Sequence, residues 1–277
     1  MKKILVSAVA ITGFALLSTA QVKMPAPSPT QTVKQEFAIG SVTLTYSRPS
    51  AKDRKIYGDL VPYNKLWRTG ANAATRIVFS DPVEMGGKMI DTGTYVLYTI
   101  PGADSWEVIL NKGLGNWGID GYKETEDVAR FKVPSSKIKN KIETFTMEFS
   151  NVTPTSCSLE IKWENTAVSI PVAASFKDKV RAQIEAAMKT DKKPYWQAAQ
   201  FYNEYDNNLA LALENATKAI EGNDKAFWMW IYKAKIQKAM GDKAGAMASS
   251  KKSLELAAEA KNDDYVKMNK DLQKSLK

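Results

Sequence analysis

The period of the hydrophobic pattern changes once along this chain, near Ala174, and the change fixes what it can fold into. Before that point apolar and polar side chains alternate. Val42, Leu44 and Tyr46 take one parity against Ser41, Thr43 and Thr45, and Cys157, Leu159, Ile161 and Trp163 take one against Ser158, Glu160, Lys162 and Glu164. A period of two places every second side chain on the same face of a strand. Beyond Ala174 the apolar residues Leu209, Ala212, Leu213, Ala216 and Ile220 fall at helical spacing, on one face. The expectation is a two-part α+β protein: an N-terminal antiparallel β-sandwich or jelly-roll-like domain over 33–174 and an α-helical array over 175–277.

Turn signals divide the first part into about ten short strands. Met85-Gly86-Gly87-Lys88 reads as a tight hairpin, because paired glycines accept the positive φ of a primed turn. Thr94 to Ile100 is apolar on both faces and reads as a central strand, followed by Trp106 to Asn111. Ala129–Val133, Glu143–Phe149, Ser156–Trp163 and Val168–Val172 complete the set. In the second part the periodicity and the polar punctuation at Asp206-Asn207-Asn208, Asn223-Asp224, Gly241-Asp242 and Asn262-Asp263 predict helices near 175–190, 194–206, 208–222, 225–240, 243–260 and 263–276.

These helices repeat. A shift of 34 residues pairs Trp196 with Trp230, Asn208 with Asp242, Ala212 with Ala246 and Ile220 with Leu254. That is the tetratricopeptide period, and the segment resembles two degenerate units of that family. Ala216 and Ser250 stand where the family favours a large aromatic residue. Two units are fewer than a free-standing stack needs, so flanking helices or the β domain must supply cover. The rings of Tyr195, Trp196, Phe201, Phe227, Trp228 and Trp230 are expected in that core.

The ends bound the location. Residues 1–20 carry Lys2 and Lys3, a short apolar run from Ile4 to Leu17, and the small residues Ser18-Thr19-Ala20, the pattern of a secretory signal peptide cleaved near Ala20. A proline-spaced tether follows over 21–32. No later segment is apolar enough to span a bilayer, so the expected place is the periplasm or the medium. Cys157 is the sole cysteine and lies on the core parity of its strand, so it reads as a buried thiol.

There are no histidines. Ser-His-Asp and Cys-His nucleophile activation and histidine-ligated metal sites are thereby excluded. No cluster has metal-ligand spacing and no phosphate loop is present, so neither a metal nor a cofactor is expected. Ser136 with Lys139, and Ser249 with Lys252, match Ser-x-x-Lys without the companion motifs of penicillin-recognising enzymes, a chance match in a lysine-rich chain. The formal net charge is +9. In an exported protein that points to anionic glycans, envelope surfaces or small anions and not to nucleic acid.

The charge is not spread evenly. Between Arg48 and Arg76 stand seven bases against Asp53 and Asp59, whereas residues 21–47 and 77–175 hold 11 bases and 14 acids. The basic stretch is interleaved with Tyr57, Tyr63 and Trp67. Arginine offers a planar donor fork for carboxylate, sulfate or phosphate, and indole or phenol rings stack on sugar faces. Two readings stay open: Arg48, Tyr63, Trp67, Arg68 and Asn72 form a binding loop, or the arginines brace the loop against backbone carbonyls. Asp53 and Asp59 read as surface partners of Lys52, Arg54 or Lys55. A second stretch, Asn111 to Tyr122, is glycine-rich and contributes Trp117 to the candidate site; it reads first as a strand connection.

The motifs Tyr46-Ser47-Arg48-Pro49, Val61-Pro62-Tyr63, Trp67-Arg68-Thr69-Gly70-Ala71-Asn72, Gly93-Thr94-Tyr95 and Trp106 resemble a bacterial family known as domain of unknown function 2911, over about residues 41–172. The resemblance implies a domain behind a signal peptide, sometimes followed by a helical repeat; it brings no activity and no catalytic residue. The expected function is a non-catalytic binding module for an anionic or glycan-like ligand, with a helical domain that contacts protein. The alternatives are a histidine-free glycan hydrolase or lyase working through carboxylate, Tyr or Arg groups, with Asp53, Asp59, Asp120 and Glu124 as candidates, and a scaffold whose loop only holds the halves together.

Overall fold

The structure is a computed structural model and describes residues 24–277; the expected signal peptide lies outside them. Nine antiparallel strands precede six helices. The strands are β1 (Thr30–Phe37), β2 (Gly40–Ser47), β3 (Thr75–Phe79), β4 (Val83–Met85), β5 (Lys88–Ile90), β6 (Gly93–Ile100), β7 (Ser105–Asn111), β8 (Asp127–Ser150) and β9 (Ser156–Ala174). Their hydrogen-bonded order is β1-β2-β3-β6-β7-β8-β9-β4-β5. Gly86 and Gly87, at φ 57° and 72°, make the primed turn between β4 and β5.

Two strands are longer than the sequence suggests. The expected pairs Ala129–Val133 with Glu143–Phe149, and Ser156–Trp163 with Val168–Val172, are each one continuous strand, β8 and β9. The register explains why they looked broken. β8 pairs with β7 up to Pro134 and with β9 from Ser135 onward, and the β8–β9 register slips between Lys137 and Thr146. Such irregularities bend a strand and interrupt its alternation. The bend folds the sheet over, so that Leu44 of β2, Ile77 of β3, Trp106 of β7, Phe145 of β8 and Trp163 of β9 meet in one buried cluster.

The fold-over is fastened along the segment after β2. The Phe145 amide donates to the Pro49 carbonyl at 2.8 Å, and the Ala51 amide to the Glu143 carbonyl at 2.8 Å. The Tyr46 hydroxyl accepts from the Met147 amide at 2.8 Å. Cys157, Leu159, Ile161 and Trp163 are all buried, as their parity requires.

The helices are α1 (Lys177–Ala187), α2 (Tyr195–Glu204), α3 (Leu209–Gly222), α4 (Phe227–Ala239), α5 (Lys243–Glu259) and α6 (Asp263–Leu276). α2 packs on α3, and α4 on α5. The repeat is visible in the caps: Asn208 Oδ1 accepts from the Leu211 amide and Asp242 Oδ1 from the Gly245 amide, 34 positions apart. Asn262 caps α6 in the same way. The aromatic expectation needs correction. Only Phe201 of the six rings is buried; Tyr195, Trp196, Phe227 and Trp230 are half-buried and Trp228 is exposed. The interior is filled instead by Ala198, Ala199, Ala212, Ala216, Ala234 and Ala246, whose small size lets the helices approach and pushes the rings to the margins.

Candidate functional site

The basic loop divides into an inner and an outer set. Arg48 belongs to the inner one. Its Nε donates to the Phe145 carbonyl at 3.2 Å and its Nη2 to Thr146 Oγ1 at 3.0 Å. It therefore braces the fold-over. Trp67 is 8 % exposed and stacks on Trp163, with ring centroids 6.2 Å apart and 14° between planes. Trp106 and Phe145 meet it edge-on. Its Nε1 donates to the Gly70 carbonyl at 3.1 Å, which ties the indole to its own loop. Tyr63 lies on the surface, its ring against Gly58.

Beyond Trp67 the backbone is held in an uncommon shape. Thr69 is at φ 54° and Asn72 at φ 56°. A β-branched residue in the left-handed region is disfavoured and persists only where its surroundings fix it. They do: Thr69 is fully buried, its hydroxyl lies 3.0 Å from that of Thr99, and its carbonyl accepts from the Thr75 hydroxyl. The turn aims Arg68 outward. Its Nη1 donates to the Asn72 carbonyl at 3.1 Å, while Asn72 Nδ2 donates to the Ser28 carbonyl at 3.3 Å.

The glycine-rich stretch is indeed the connection from β7 to β8, and it faces this loop. A β-carbon on Gly118 would stand 2.8 Å from Arg68 Nη1, so glycine leaves the guanidinium its room. The connection is anchored from beneath. Asn111, fully buried, donates to Asp127 Oδ1 at 2.8 Å and to the Lys123 carbonyl at 3.0 Å. Asn116 donates to the Tyr98 hydroxyl at 3.2 Å, and Arg76 Nη2 to the Leu114 carbonyl at 2.8 Å. Arg130 clasps Asp127, Glu107 and the Tyr122 hydroxyl at 2.7–2.8 Å. Burial, then the Asp127 carboxylate, push the Tyr122 phenol well above its ordinary range, and Asp127 and Glu107 outweigh desolvation to hold Arg130 firmly charged. Neither group titrates near neutrality, and the bonds that Arg130 and Asn111 make fix the connection as a mount. It carries Trp117, 65 % exposed, at the loop tip.

The outcome is an open cleft of about 440 Å³. Arg68, Asn72 and Trp117 line it, with Trp67 at its wall; Arg48 and Tyr63 do not. Arg54 also lines it, a residue that sequence reasoning had assigned to surface ion pairing. Among the described residues, Asp53 and Asp59 form no ion pair with Lys52, Arg54 or Lys55. Instead Arg54 Nε donates to the Ala51 carbonyl at 2.9 Å and Nη2 to the Ser50 carbonyl at 2.7 Å. The available signal was its place in the seven-base cluster, three and four residues after those acceptors. Among the described residues no carboxylate lines the cleft, and Asp53, Asp59, Asp120 and Glu124 are all absent from its walls.

A larger groove, about 540 Å³, opens where Phe37, Ala38 and Ile39 face Phe176, Phe201 and Tyr205 of the helical part. Among the described residues it carries Glu36 and Glu204 and no cation. Its size exceeds that of the cleft, but its walls lack convergent charge. Near it the halves are joined by the Ser175 amide on the Pro82 carbonyl and by a Lys179–Asp81 ion pair.

A folded-over antiparallel sheet with a basic, aromatic-edged cleft at one end, followed by a helical array, is thus the class of this protein. The chain belongs to the family described as protein of unknown function (DUF2911), which matches residues 28–172, the whole of the sheet up to the last residues of β9. No curated protein and no solved structure matches it.

Proposed function

We propose that the β domain is a non-catalytic binding module that takes an anionic or glycan-like ligand in the cleft bearing Arg54, Arg68, Asn72 and Trp117, and that the protein works in the periplasm or outside the cell with its helical array turned to protein partners. One observation carries the reading: two guanidiniums and an exposed indole converge on one open cavity that has no carboxylate in its walls among the described residues. Arginine stays charged across the working pH range, so the cavity favours anions without depending on any titration. The backbone bonds to Arg54 and Arg68 hold the guanidiniums in place before a ligand arrives, which lowers the ordering cost of binding. Glycoside cleavage by the usual route needs two carboxyl groups flanking the bond, and the cleft offers none. For export, the support is the leader-like sequence, together with the finding that no described helix is long and apolar enough to cross a membrane.

Isothermal titration calorimetry with a panel of acidic and neutral sugars tests the site. Arg68→Ala is expected to weaken acidic-sugar binding at least about tenfold, the loss of a charge-assisted hydrogen bond. Arg48→Ala is expected to lower stability and leave binding unchanged. Acidic-sugar binding that survives Arg68→Ala intact would remove the assignment.

A further inference from the structure

We infer that the cleft is one end of a longer groove, and that its ligand is a linear acidic oligosaccharide with at least two successive anionic residues. The inference rests on the anion-binding reading above and gives it a length and a direction.

A second depression of about 160 Å³ adjoins the cleft, and Trp67, Arg68, Leu60 and Val61 belong to the walls of both. Free-standing small-molecule sites run from about 300 to 1,000 Å³. The smaller hollow is below that range and serves as an extension of the larger one. Lys65 and Ile119 form its far side. The cations are therefore distributed: Arg54 in the cleft, Arg68 on the shared wall, and Lys65 beyond. Among the described residues none of the three is in an ion pair, and neither hollow has a carboxylate in its walls. Positive groups repeating along a groove with no acid between them match a ligand whose negative groups repeat.

The apolar surfaces narrow the polymer. Single-stranded nucleic acid is held by stacking successive bases on successive aromatic platforms. This groove has one exposed ring, Trp117, and continues into aliphatic walls with Leu60 45 % and Ile119 44 % exposed. A sugar chain needs no more: one residue stacks its C–H face on the indole and the next lies against aliphatic carbon with its carboxylate toward Lys65. The segment 65–68 places Lys65 and Arg68 three positions apart on either side of buried Trp67, so one short stretch supplies two of the three cations along the groove.

The test is calorimetric titration of the full chain with galacturonate and with oligogalacturonates of two, three and four residues, beside neutral galacto-oligosaccharides, oligothymidylate and inorganic sulfate. The trimer is expected to bind at least about tenfold tighter than the monomer, as linked contacts add. Lys65→Ala should weaken the trimer about fivefold, the upper range for an exposed ion pair, and leave the monomer unchanged. Equal affinity for monomer and trimer would overturn the extended groove, while Arg68-dependent monomer or sulfate binding would leave the anion cleft standing. Oligothymidylate binding more tightly than the uronates, with the same Arg68 dependence, would overturn the saccharide class. No Arg68-dependent binding of any anion would remove both readings.

Discussion

The two halves of this protein solve burial in opposite ways. The sheet folds around one continuous apolar cluster in which Trp106, Trp163, Phe145 and Leu44 have at most 1 % of their surface exposed. The helical array has two small, alanine-rich clusters, and between α4, α5 and α6 it buries hydrogen bonds. Ser249 donates to Gln237 Oε1 at 2.6 Å, Ser250 to Asn269 Oδ1 at 2.9 Å, and Asn269 Nδ2 to Ser253 Oγ at 2.8 Å. Large rings packed edge-to-face contribute area and little freedom. A satisfied polar network contributes less net energy but fixes which helix faces which, because any other register strands a buried donor. The contrast teaches that the folded-over sheet is a rigid platform for the site, and that the array's identity rests on a few polar pairings.

The largest effect should come from the sheet. Trp106→Ala is expected to cost about 3–5 kcal/mol in urea denaturation, the range for removing a buried large aromatic; a loss no greater than that of any helical variant would break the contrast. Next is an alkaline effect. Burial pushes the Cys157 thiol from an ordinary 9.0 up to about 11. In that window the unfolded chain has released the proton and the folded one has not, so stability falls as pH rises, by about 1.4 kcal/mol per unit. The fall should be absent in Cys157→Ala, measured as the difference between the two proteins so that tyrosine titration cancels; parallel curves would contradict a buried thiol.

Asn269→Ala comes third, at about 1–3 kcal/mol, because Ser250 and Ser253 each lose a side-chain hydrogen bond in a buried interface. Hydrogen exchange should show the change confined to α4, α5 and α6. The smallest is Asp242→Ala, about 1 kcal/mol for the lost N-cap, with Asn208→Ala alike if the 34-residue repeat is structural. Unequal caps would sharpen the comparison by showing that one unit carries more of the array.

Much of the fold was legible because periodicity is a local signal. Cys157 to Trp163 declare a half-buried strand, and each of the six helices begins within about two residues of its sequence expectation, as boundaries allow. The single β8 and single β9 were not legible, since the register slips that bend them also hide their continuity. Of the candidate site, Arg68, Asn72 and Trp117 reached the cleft. Trp67, mostly buried, forms part of its wall, Arg48 went to the interior, Tyr63 stayed outside, and Arg54 came in unannounced. Side-chain type marks what a residue can do, but an arginine that braces and one that receives carry the same letter.

Sequence alone determined the change from strand to helix near Ala174, the absence of histidine chemistry, and the concentration of charge between Arg48 and Arg76, because composition and spacing are properties of the chain itself. Tertiary structure alone decided which guanidinium was drawn into the fold-over and which were left in the walls of the cleft. Arg48 reaches an acceptor on a distant strand, Phe145, across 97 positions, whereas Arg68 bonds Asn72 in its own loop, four positions away. No local pattern encodes the distant partner of Arg48, and the allocation follows only once the bend in β8 has brought those atoms within reach.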